Sequence, residues 1–222
     1  MRIVYHQWLS PFCRKVRVAL REKSVDFELR VENVWERRRE FLTLNPACEV
    51  PVLVEPDGAA ICDSAAICEY LEERVPAPQL LPGDMVGRAE VRRLVAWFDR
   101  KFAGEVSGYL ISEKVTKRQK GDGAPDSRAI RAAKENIHYH LDYIGWLAER
   151  RTWLAGDQFS LADIAAGAHL SAIDYLDDVP WAEHEAAKHW YARIKSRPSF
   201  RPLLGDHLPG DPPPKHYADL DF

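Results

Sequence analysis

The residues best placed for chemistry lie where two predicted helices begin. Ser10 precedes Pro11 at the end of a short apolar strand, and Asp63-Ser64 precedes a second helical pattern. Ser is a favoured N-cap, and Pro suits the first helical position because its missing N–H has no partner there. Helix N-termini also bind anions through free N–H groups and the helix dipole. Both positions are therefore predicted caps and candidate ligand sites.

Cys13 lies one turn into the first helix, where the helix dipole favours a lowered thiol pKa. No two cysteines form a C-x-x-C pair, and no His/Cys cluster has the spacing of a zinc site. His138 and His140 lie two positions apart and do not share a helix face. We predict no metal site and a reducing cytoplasm. Packing roles are predicted for the remaining thiols, which are Cys48, Cys62 and Cys68.

A basic run next to a tryptophan has two interpretations, which the sequence leaves open. Trp35 stands beside Arg37, Arg38 and Arg39. Such a run is often a solvated face, but an exposed Trp beside Arg side chains also has the composition of an interface hot spot. In the second interpretation the patch binds an acidic partner.

The C-terminal segment, residues 205–222, is rich in proline and acidic residues and lacks the periodicity of a helix. We expect a tail that cannot bury enough apolar surface to fold alone. Its end alternates acidic and apolar side chains, which is typical of a short docking segment. The groove it docks in belongs either to this protein or to a partner. The predicted docking residues are Tyr217, Leu220 and Phe222.

Composition places the chain among ordinary globular proteins, because 46% of its 222 residues are hydrophobic and 29% are charged. The formal net charge of -3 gives no general attraction to nucleic acid. The first residues carry no signal-peptide pattern, and no apolar run approaches the roughly 18 residues of a membrane span. We expect a cytoplasmic protein that neither inserts into membranes nor binds nucleic acid.

Residues 1–75 predict a small α/β domain. Strand and helix patterns follow in the order βαβ, α, ββα, with a hairpin around the Pro-Asp-Gly turn. Predicted strands cover residues 2–6, 26–31, 51–55 and 59–62, and predicted helices begin at Ser10 and cover residues 36–44 and 64–74. A linker rich in Pro and Gly follows over residues 76–87.

Residues 88–204 predict an all-helical domain, because apolar stripes recur at helical spacing. One of its helices, over residues 130–148, also carries aromatic residues on the opposite face. We therefore expect this helix to be buried on both faces at the centre of the domain. Ser160 and Asp163 form a predicted capping box at the start of a later helix.

Several short stretches, in their order and spacing, resemble the cytosolic glutathione transferases. They fall within about residues 1–204 and are LSPFCRKVRVAL, NPACEVPVL, Asp63-Ser64, LLPGD, GDQFSLADI and RPSF. The resemblance implies a thioredoxin-like N-terminal domain and an all-helical C-terminal domain. It also implies glutathione as the cofactor, and a homodimer in which the helical domain of each subunit contacts the thioredoxin-like domain of the other.

The resemblance assigns roles to individual residues. In members of the serine type, a hydroxyl at the position of Ser10 donates a hydrogen bond to the glutathione sulfur. Pro51 is expected in the cis form, so that Val50 offers its backbone to the cysteinyl part of glutathione. Ser64 is expected to bind the γ-glutamyl carboxylate. Thiol-using members carry their cysteine in place of Ser10, so Cys13 is assigned to packing.

Other segments resemble a branch of the family that binds FtsZ filaments at the bacterial division site. They are VWERRREF, RAEVRRLVAWFD, NIHYHLDYIGWLAERR and the terminal HYADLDF. Two functions follow from the two resemblances. The first is a dimeric FtsZ-binding regulator of cytokinesis that keeps the fold without needing its chemistry, with Trp35, the Arg37–Arg39 run and the tail as its partner surface. The second is a glutathione transferase in which Ser10 activates the thiol, to conjugate or reduce small electrophiles.

Overall fold

The computed structural model describes residues 1–220. Its N-terminal part contains four strands, which are β1 (Arg2–His6), β2 (Phe27–Val31), β3 (Val52–Val54) and β4 (Ala60–Cys62). They form a mixed sheet in the order β2-β1-β3-β4. β1 runs parallel to β2 and antiparallel to β3, and β3 and β4 form the predicted hairpin.

Three helices belong to the same part of the chain: α1 (Pro11–Glu22), α2 (Arg39–Leu44) and α3 (Ser64–Arg74). α1 begins as predicted, because the Ser10 hydroxyl accepts a hydrogen bond from the Cys13 N–H at 3.3 Å. α2 is shorter than predicted, and a separate 3-10 turn (Val34–Glu36) precedes it. Between the two, Arg37 has a φ of 48°, and this left-handed conformation interrupts the predicted helix.

The C-terminal part is built from helices. Asp84 caps the first, α4 (Met85–Ala96), which therefore begins inside the segment predicted as a linker. The same helix continues as π-helical turns over Trp97–Ser107 and Ser112–Thr116, with short α-helical pieces α5 (Gly108–Ile111) and α6 (Lys117–Lys120). The later helices are α7 (Ser127–Ala148), α8 (Leu161–Asp174), α9 (Glu185–Lys195) and α10 (Arg201–Leu204), and 3-10 turns lie at Trp181–Glu183 and Lys215–Ala218.

The central helix of the C-terminal part is α8, and the prediction that α7 is central is wrong. Every residue of α8 is buried. On the second face of α7, by contrast, Tyr139 is 57% exposed and Trp146 is 48% exposed. These aromatic residues contact one another through Tyr143 and Trp97 instead of packing beneath another helix.

α8 begins with the predicted capping box. The Ser160 N–H and O–H both donate to the Asp163 carboxylate, at 3.1 and 3.2 Å, and the Ser160 oxygen accepts from the Ala162 N–H. Asp163 also accepts from the Leu154 N–H at 2.9 Å and from Trp190 Nε1 at 3.1 Å. Burial raises the pKa of Asp163 to about 6. These bonds hold the loop before α8 and the helix α9 to the start of the central helix.

α1 carries three cationic side chains that are almost completely buried, namely Arg14, Lys15 and Arg17. Arg17 donates to both carboxylate oxygens of Asp206 at 2.7 Å, and Arg14 lies 3.5 Å from the same carboxylate. Lys15 forms an ion pair with Asp99 of the π-helical segment. Two acids of the C-terminal part therefore neutralise the charges that α1 buries at the boundary between the two parts.

The segment after α10 packs on its own chain. Tyr217 is fully buried, and its hydroxyl accepts from Arg14 Nη1 at 2.9 Å and donates to the Leu203 carbonyl at 3.1 Å. Leu220 packs against the same core, whereas Phe222 lies outside the described residues. For Tyr217 the docking groove belongs to this protein, so in this structure its ring is not available to a partner.

Within residues 1–220, no helix combines the length and the apolarity needed to cross a membrane. The same residues contain no cluster of three or more His, Cys, Asp or Glu side chains suited to a metal ion. His138 and His140 have different neighbours, as their spacing predicts. His140 is buried and bonds to Glu105 at 3.0 Å, while His138 contacts His184 at 2.9 Å.

Asp206→Asn should destabilise the protein strongly, because it leaves two buried guanidinium groups without their counter-charge. Breaking a buried ion pair costs about 3–5 kcal/mol, which lowers Tm by about 6 °C or more in a chain of this size. Asp211→Asn is the matched control, because Asp211 pairs with the exposed Arg118 and its loss should cost about 1 kcal/mol or less. Thermal unfolding followed by circular dichroism measures both, and equal losses would contradict the prediction.

Candidate functional site

A cleft of about 410 Å³, at the N-terminal ends of α1 and α3, gathers the residues predicted to bind glutathione. Its walls include Ser10, Val50, Pro51, Asp63 and Ser64. The Val50-Pro51 peptide bond is cis, as predicted. A second cis bond, between residues 77 and 78, has no counterpart in the sequence predictions.

Ser10 is both a helix cap and part of the cleft wall. Its oxygen accepts the Cys13 N–H, and its side chain also hydrogen-bonds with the Cys13 thiol, so a ligand in the cleft would compete with that thiol for the Ser10 O–H. The side chain is half-buried. The predicted cap is confirmed, and the ligand role of Ser10 stays a prediction.

Asp63 caps α3. Its φ of 72° lies in the left-handed region, and one carboxylate oxygen accepts from the N–H groups of Ala65 at 2.7 Å and Ala66 at 3.1 Å. Ser64 is buried and lines the cleft, and its hydroxyl has no hydrogen-bond partner among residues 1–220. The Asp63 carboxylate thus occupies two N–H groups of the predicted anion site, so that Ser64 is the donor left for a ligand.

The cleft is acidic. Glu49 and Asp63 line it, and none of the described residues in its walls is Lys, Arg or His. Glutathione carries two carboxylates and one ammonium group, so Coulomb repulsion from the walls opposes its net charge. The Asp63 carboxylate suits the ammonium group, but no cation of the wall faces the carboxylates. The lining of the cleft therefore offers a partner for an ammonium group and none for a carboxylate among its charged side chains.

The cysteines have packing roles, as predicted. Burial raises the pKa of Cys13 to about 11 and that of Cys68 to about 12, so the dipole of α1 does not create a reactive thiol at Cys13. Cys48 and Cys62 donate from Sγ to backbone carbonyl groups at 3.2 and 3.3 Å.

A second cavity, of about 240 Å³, shares Ser10 with the cleft and lies between the two parts of the molecule. Its walls come from the loop after β1, the start of α1 and the long helix that follows α4. The tail contributes Leu208. Large apolar side chains dominate the walls, and they are those of Trp8, Phe12, Trp35, Ile111 and Val115. The cavity therefore suits a flat apolar group.

One polar group of this second cavity has no counterpart in the sequence predictions. Ser107 lines the cavity, and its hydroxyl lies 2.8 Å from Nδ1 of His169. The other ring nitrogen of His169 lies 3.4 Å from the Asp99 carboxylate. Asp99 and Ser107 lie in one helical segment, but His169 is 70 and 62 positions away from them, so no sequence signal would have connected the three.

The predicted partner patch is only partly available. Trp35 is half-buried and lines the second cavity. Arg38 pairs with the buried carboxylate of Glu32, which neutralises its charge. Arg37 and Arg39 are exposed and form no ion pair within residues 1–220. The basic surface beside Trp35 therefore consists of two arginines and not three.

Two family models match the chain. The model described as Glutathione S-transferase, N-terminal domain, covers residues 9–74, and the model described as Glutathione S-transferase, C-terminal domain, covers residues 125–198. The chain belongs to the glutathione S-transferase family. The fold class predicted from the sequence is confirmed by these matches and by the mixed sheet and helical part described above.

Within the glutathione S-transferase family, the chain is 50% identical over 224 residues to FtsZ-localized protein A of Caulobacter vibrioides, with 100% of this chain and 98% of that protein covered. The solved structure of FzlA from C. crescentus superposes with a TM-score of 0.96 at 50% identity and covers 100% of this chain and 99% of that one. A glutathione S-transferase from Rhodospirillum rubrum F11 is 60% identical and superposes with a TM-score of 0.98 over 100% of both chains.

A more distant glutathione S-transferase, from Methylobacillus flagellatus, has been solved with glutathione bound. It is 29% identical and superposes with a TM-score of 0.75, covering 91% of this chain and 98% of that one. Members of the family therefore bind glutathione in a fold that this chain shares.

His6, the last residue of β1 in this glutathione S-transferase fold, is another group that the sequence did not single out. It is fully buried, and neither ring nitrogen has a hydrogen-bond partner among residues 1–220. Its ring packs edge-on against Trp8, with 4.6 Å between the ring centres. Burial, and then the charge of Arg17, lower the pKa of His6 from 6.5 to about 4. The folded protein therefore holds His6 neutral near pH 7.

Stability should fall on acidification through the pH window from 6.5 to about 4, and His6 should account for part of the loss. In this window the unfolded chain protonates His6 and the folded chain does not, so acid favours unfolding by up to about 3 kcal/mol. His6→Phe keeps the ring and removes the titration, so its stability should decline less. Urea unfolding at several pH values measures the difference, and identical pH slopes for the two proteins would refute this role.

Proposed function

We propose that this chain is a dimeric FtsZ-binding protein of bacterial cytokinesis, which acts in the cytoplasm at the division site. The main support is the extent of the similarity to the Caulobacter protein, which covers the whole chain. It includes the residues after 198, which the family model of the C-terminal domain does not reach. This extension is part of the fold, because Tyr217 within it is buried and bonds to Arg14.

The partner surface is proposed to combine Trp35, Arg37 and Arg39 with the end of the tail. FtsZ is an acidic partner, so two exposed arginines without ion pairs among residues 1–220 are favourable there. Trp35 supplies a large aromatic surface beside them, as interface hot spots typically do. Leu220 and Phe222 are proposed to contribute from the tail, in place of the buried Tyr217.

The dimer is proposed to form through the helical part. Tyr139 and Trp146 are exposed on α7, and with Trp97 and Tyr143 they form one aromatic surface. Exposed aromatic clusters of this kind are typical of protein interfaces. A second copy that covers this surface would bury the face of α7 that the monomer leaves open.

Trp35→Ala should weaken binding to polymerised FtsZ, because truncating a large aromatic hot spot typically costs about 2 kcal/mol, or about 30-fold in Kd. The double reversal Arg37→Glu with Arg39→Glu should weaken binding further, because it removes the attraction to an acidic filament. Co-sedimentation with FtsZ polymers measures both, and gel filtration should show an unchanged oligomeric state.

The matched control for the charge reversal is Arg74→Glu with Arg201→Glu, which changes the net charge equally at exposed positions outside both the patch and α7. It should leave FtsZ binding close to wild type. If the two double variants bind equally, the attraction is a general effect of charge and the proposed patch is incorrect. No binding by wild type at any concentration would reject the proposed function itself.

Glutathione-dependent transferase chemistry is the second candidate. It is favoured by the cleft, which brings Ser10, Val50 and Ser64 together around the cis proline. In this reading Ser10 donates to the sulfur of glutathione and stabilises its thiolate, which then attacks or reduces a small electrophile. The acidic walls of the cleft limit the affinity and make this the weaker candidate.

Ser10→Ala should lower any glutathione-dependent rate and raise the pKa of the bound thiol, while the fold remains. Loss of the N-cap should cost about 0.5–2 kcal/mol. Stopped-flow or plate assays with an aromatic electrophile, together with calorimetric titration of glutathione, provide the measurement. A rate unchanged by the substitution removes Ser10 from the mechanism, and failure of wild type to bind millimolar glutathione removes the second candidate.

A further inference from the structure

Three polar side chains of the helical part form a hydrogen-bonded series that ends in the second cavity. Ser107 Oγ lies 2.8 Å from Nδ1 of His169, and Nε2 of His169 lies 3.4 Å from Oδ1 of Asp99. His169 is fully buried between the other two. Ser107 is almost completely buried, and it forms part of the cavity wall. A ligand would therefore reach Ser107 from the cavity.

The protonation state of Asp99 sets the direction of these hydrogen bonds. Burial acts to raise the pKa of Asp99, but the hydrogen bond from His169 and the charge of Lys15 outweigh it. Together they hold the pKa of Asp99 below its usual range. Asp99 is therefore a carboxylate and only accepts, so neutral His169 carries its proton on Nε2. Nδ1 is then the acceptor of the Ser107 O–H, which leaves the lone pairs of Ser107 Oγ free to act as a nucleophile.

The backbone that carries Ser107 and Asp99 has an unusual and constrained form. Trp97–Ser107 is π-helical, and the segment ends where the Gly108 N–H donates to the Ala103 carbonyl. A Cβ atom on Gly108 would lie 2.5 Å from that carbonyl oxygen, so the close approach requires glycine. π-helical turns occur frequently at functional sites, and this one places Ser107 at the cavity.

We propose that Ser107, His169 and Asp99 act as a nucleophilic relay toward small activated acyl esters. Ser107 Oγ forms a bond to the acyl carbon while its proton passes to His169 Nδ1. The bond from that carbon to the leaving oxygen breaks, and His169 returns the proton to the leaving alcohol or phenol. Water then gives a proton to His169 Nδ1 as its oxygen bonds to the acyl carbon. The bond from that carbon to Ser107 Oγ breaks and His169 returns the proton to Oγ, which releases the carboxylic acid and restores the hydroxyl.

The cavity favours aromatic esters. Its apolar walls, including Trp8 and Phe12, suit a planar leaving group. Ser10 lines the same cavity, and by turning away from the Cys13 thiol its O–H would donate to the oxygen anion of the tetrahedral intermediate. Burial lowers the pKa of His169, and Lys15 reduces the charge that Asp99 offers to a protonated imidazole, so we expect a slow reaction that needs a good leaving group.

The test uses full-length wild type without glutathione, treated with phenylmethanesulfonyl fluoride and, separately, with p-nitrophenyl acetate. We expect a sulfonyl adduct on Ser107 in peptide mass spectra and a glutathione-independent release of p-nitrophenol. Ser107→Ala should abolish the adduct and lower the release by at least about 10²-fold. His169→Gln should do the same. Because burial lowers the pKa of His169, wild-type labelling should decline at a lower pH than an ordinary imidazole would give.

Ser196→Ala is the matched control, because Ser196 is exposed, lies outside the cavity and bonds only to the Ala192 carbonyl. It should label and hydrolyse like wild type. The adduct site is read on wild type itself, so the result does not depend on whether a variant folds. Absence of an adduct on Ser107 after prolonged treatment, or ester hydrolysis that is equal in wild type and folded Ser107→Ala, overturns the proposal.

Discussion

The pairing of buried cations on α1 with acids from the C-terminal part is the interaction on which the structure depends. Arg14, Lys15 and Arg17 are excluded from water, and an unpaired buried charge is far more costly than an unpaired surface charge. Their counter-charges, Asp99 and Asp206, both come from the other part of the chain. The two parts are therefore fixed to each other at α1. Because Ser10 caps that helix, the same constraint positions the cleft and the second cavity.

The cleft at the N-terminal ends of α1 and α3 combines residues expected from the family resemblance with walls that carry acidic side chains. The cis proline, the Ser10 cap and the Ser64 hydroxyl form a cleft of the expected shape. Its walls hold two acids, of which Asp63 suits the ammonium group of glutathione, and no Lys, Arg or His among the described residues to face the two carboxylates.

The features predictable from the sequence were those set by neighbouring residues. The Ser10 cap, the Ser160–Asp163 capping box and the hairpin depend on side chains within a few positions of one another, and the structure confirms them. Long-range features were not predictable. Periodicity shows that α7 has two apolar faces, but only the tertiary packing decides that one of them is open. Likewise, nothing local indicates that His169 meets Ser107 and Asp99, which lie 62 and 70 positions away from it.

The distance in sequence between α1 and the groups that neutralise it has a consequence for folding. Asp206 lies 192 positions from Arg14 and 189 from Arg17, and Tyr217 lies 203 positions from Arg14. Contacts between residues so far apart raise the contact order, and a higher contact order slows folding. The two guanidinium groups stay in water until the C-terminal part docks, so the surface of α1 that carries them is buried only at that step.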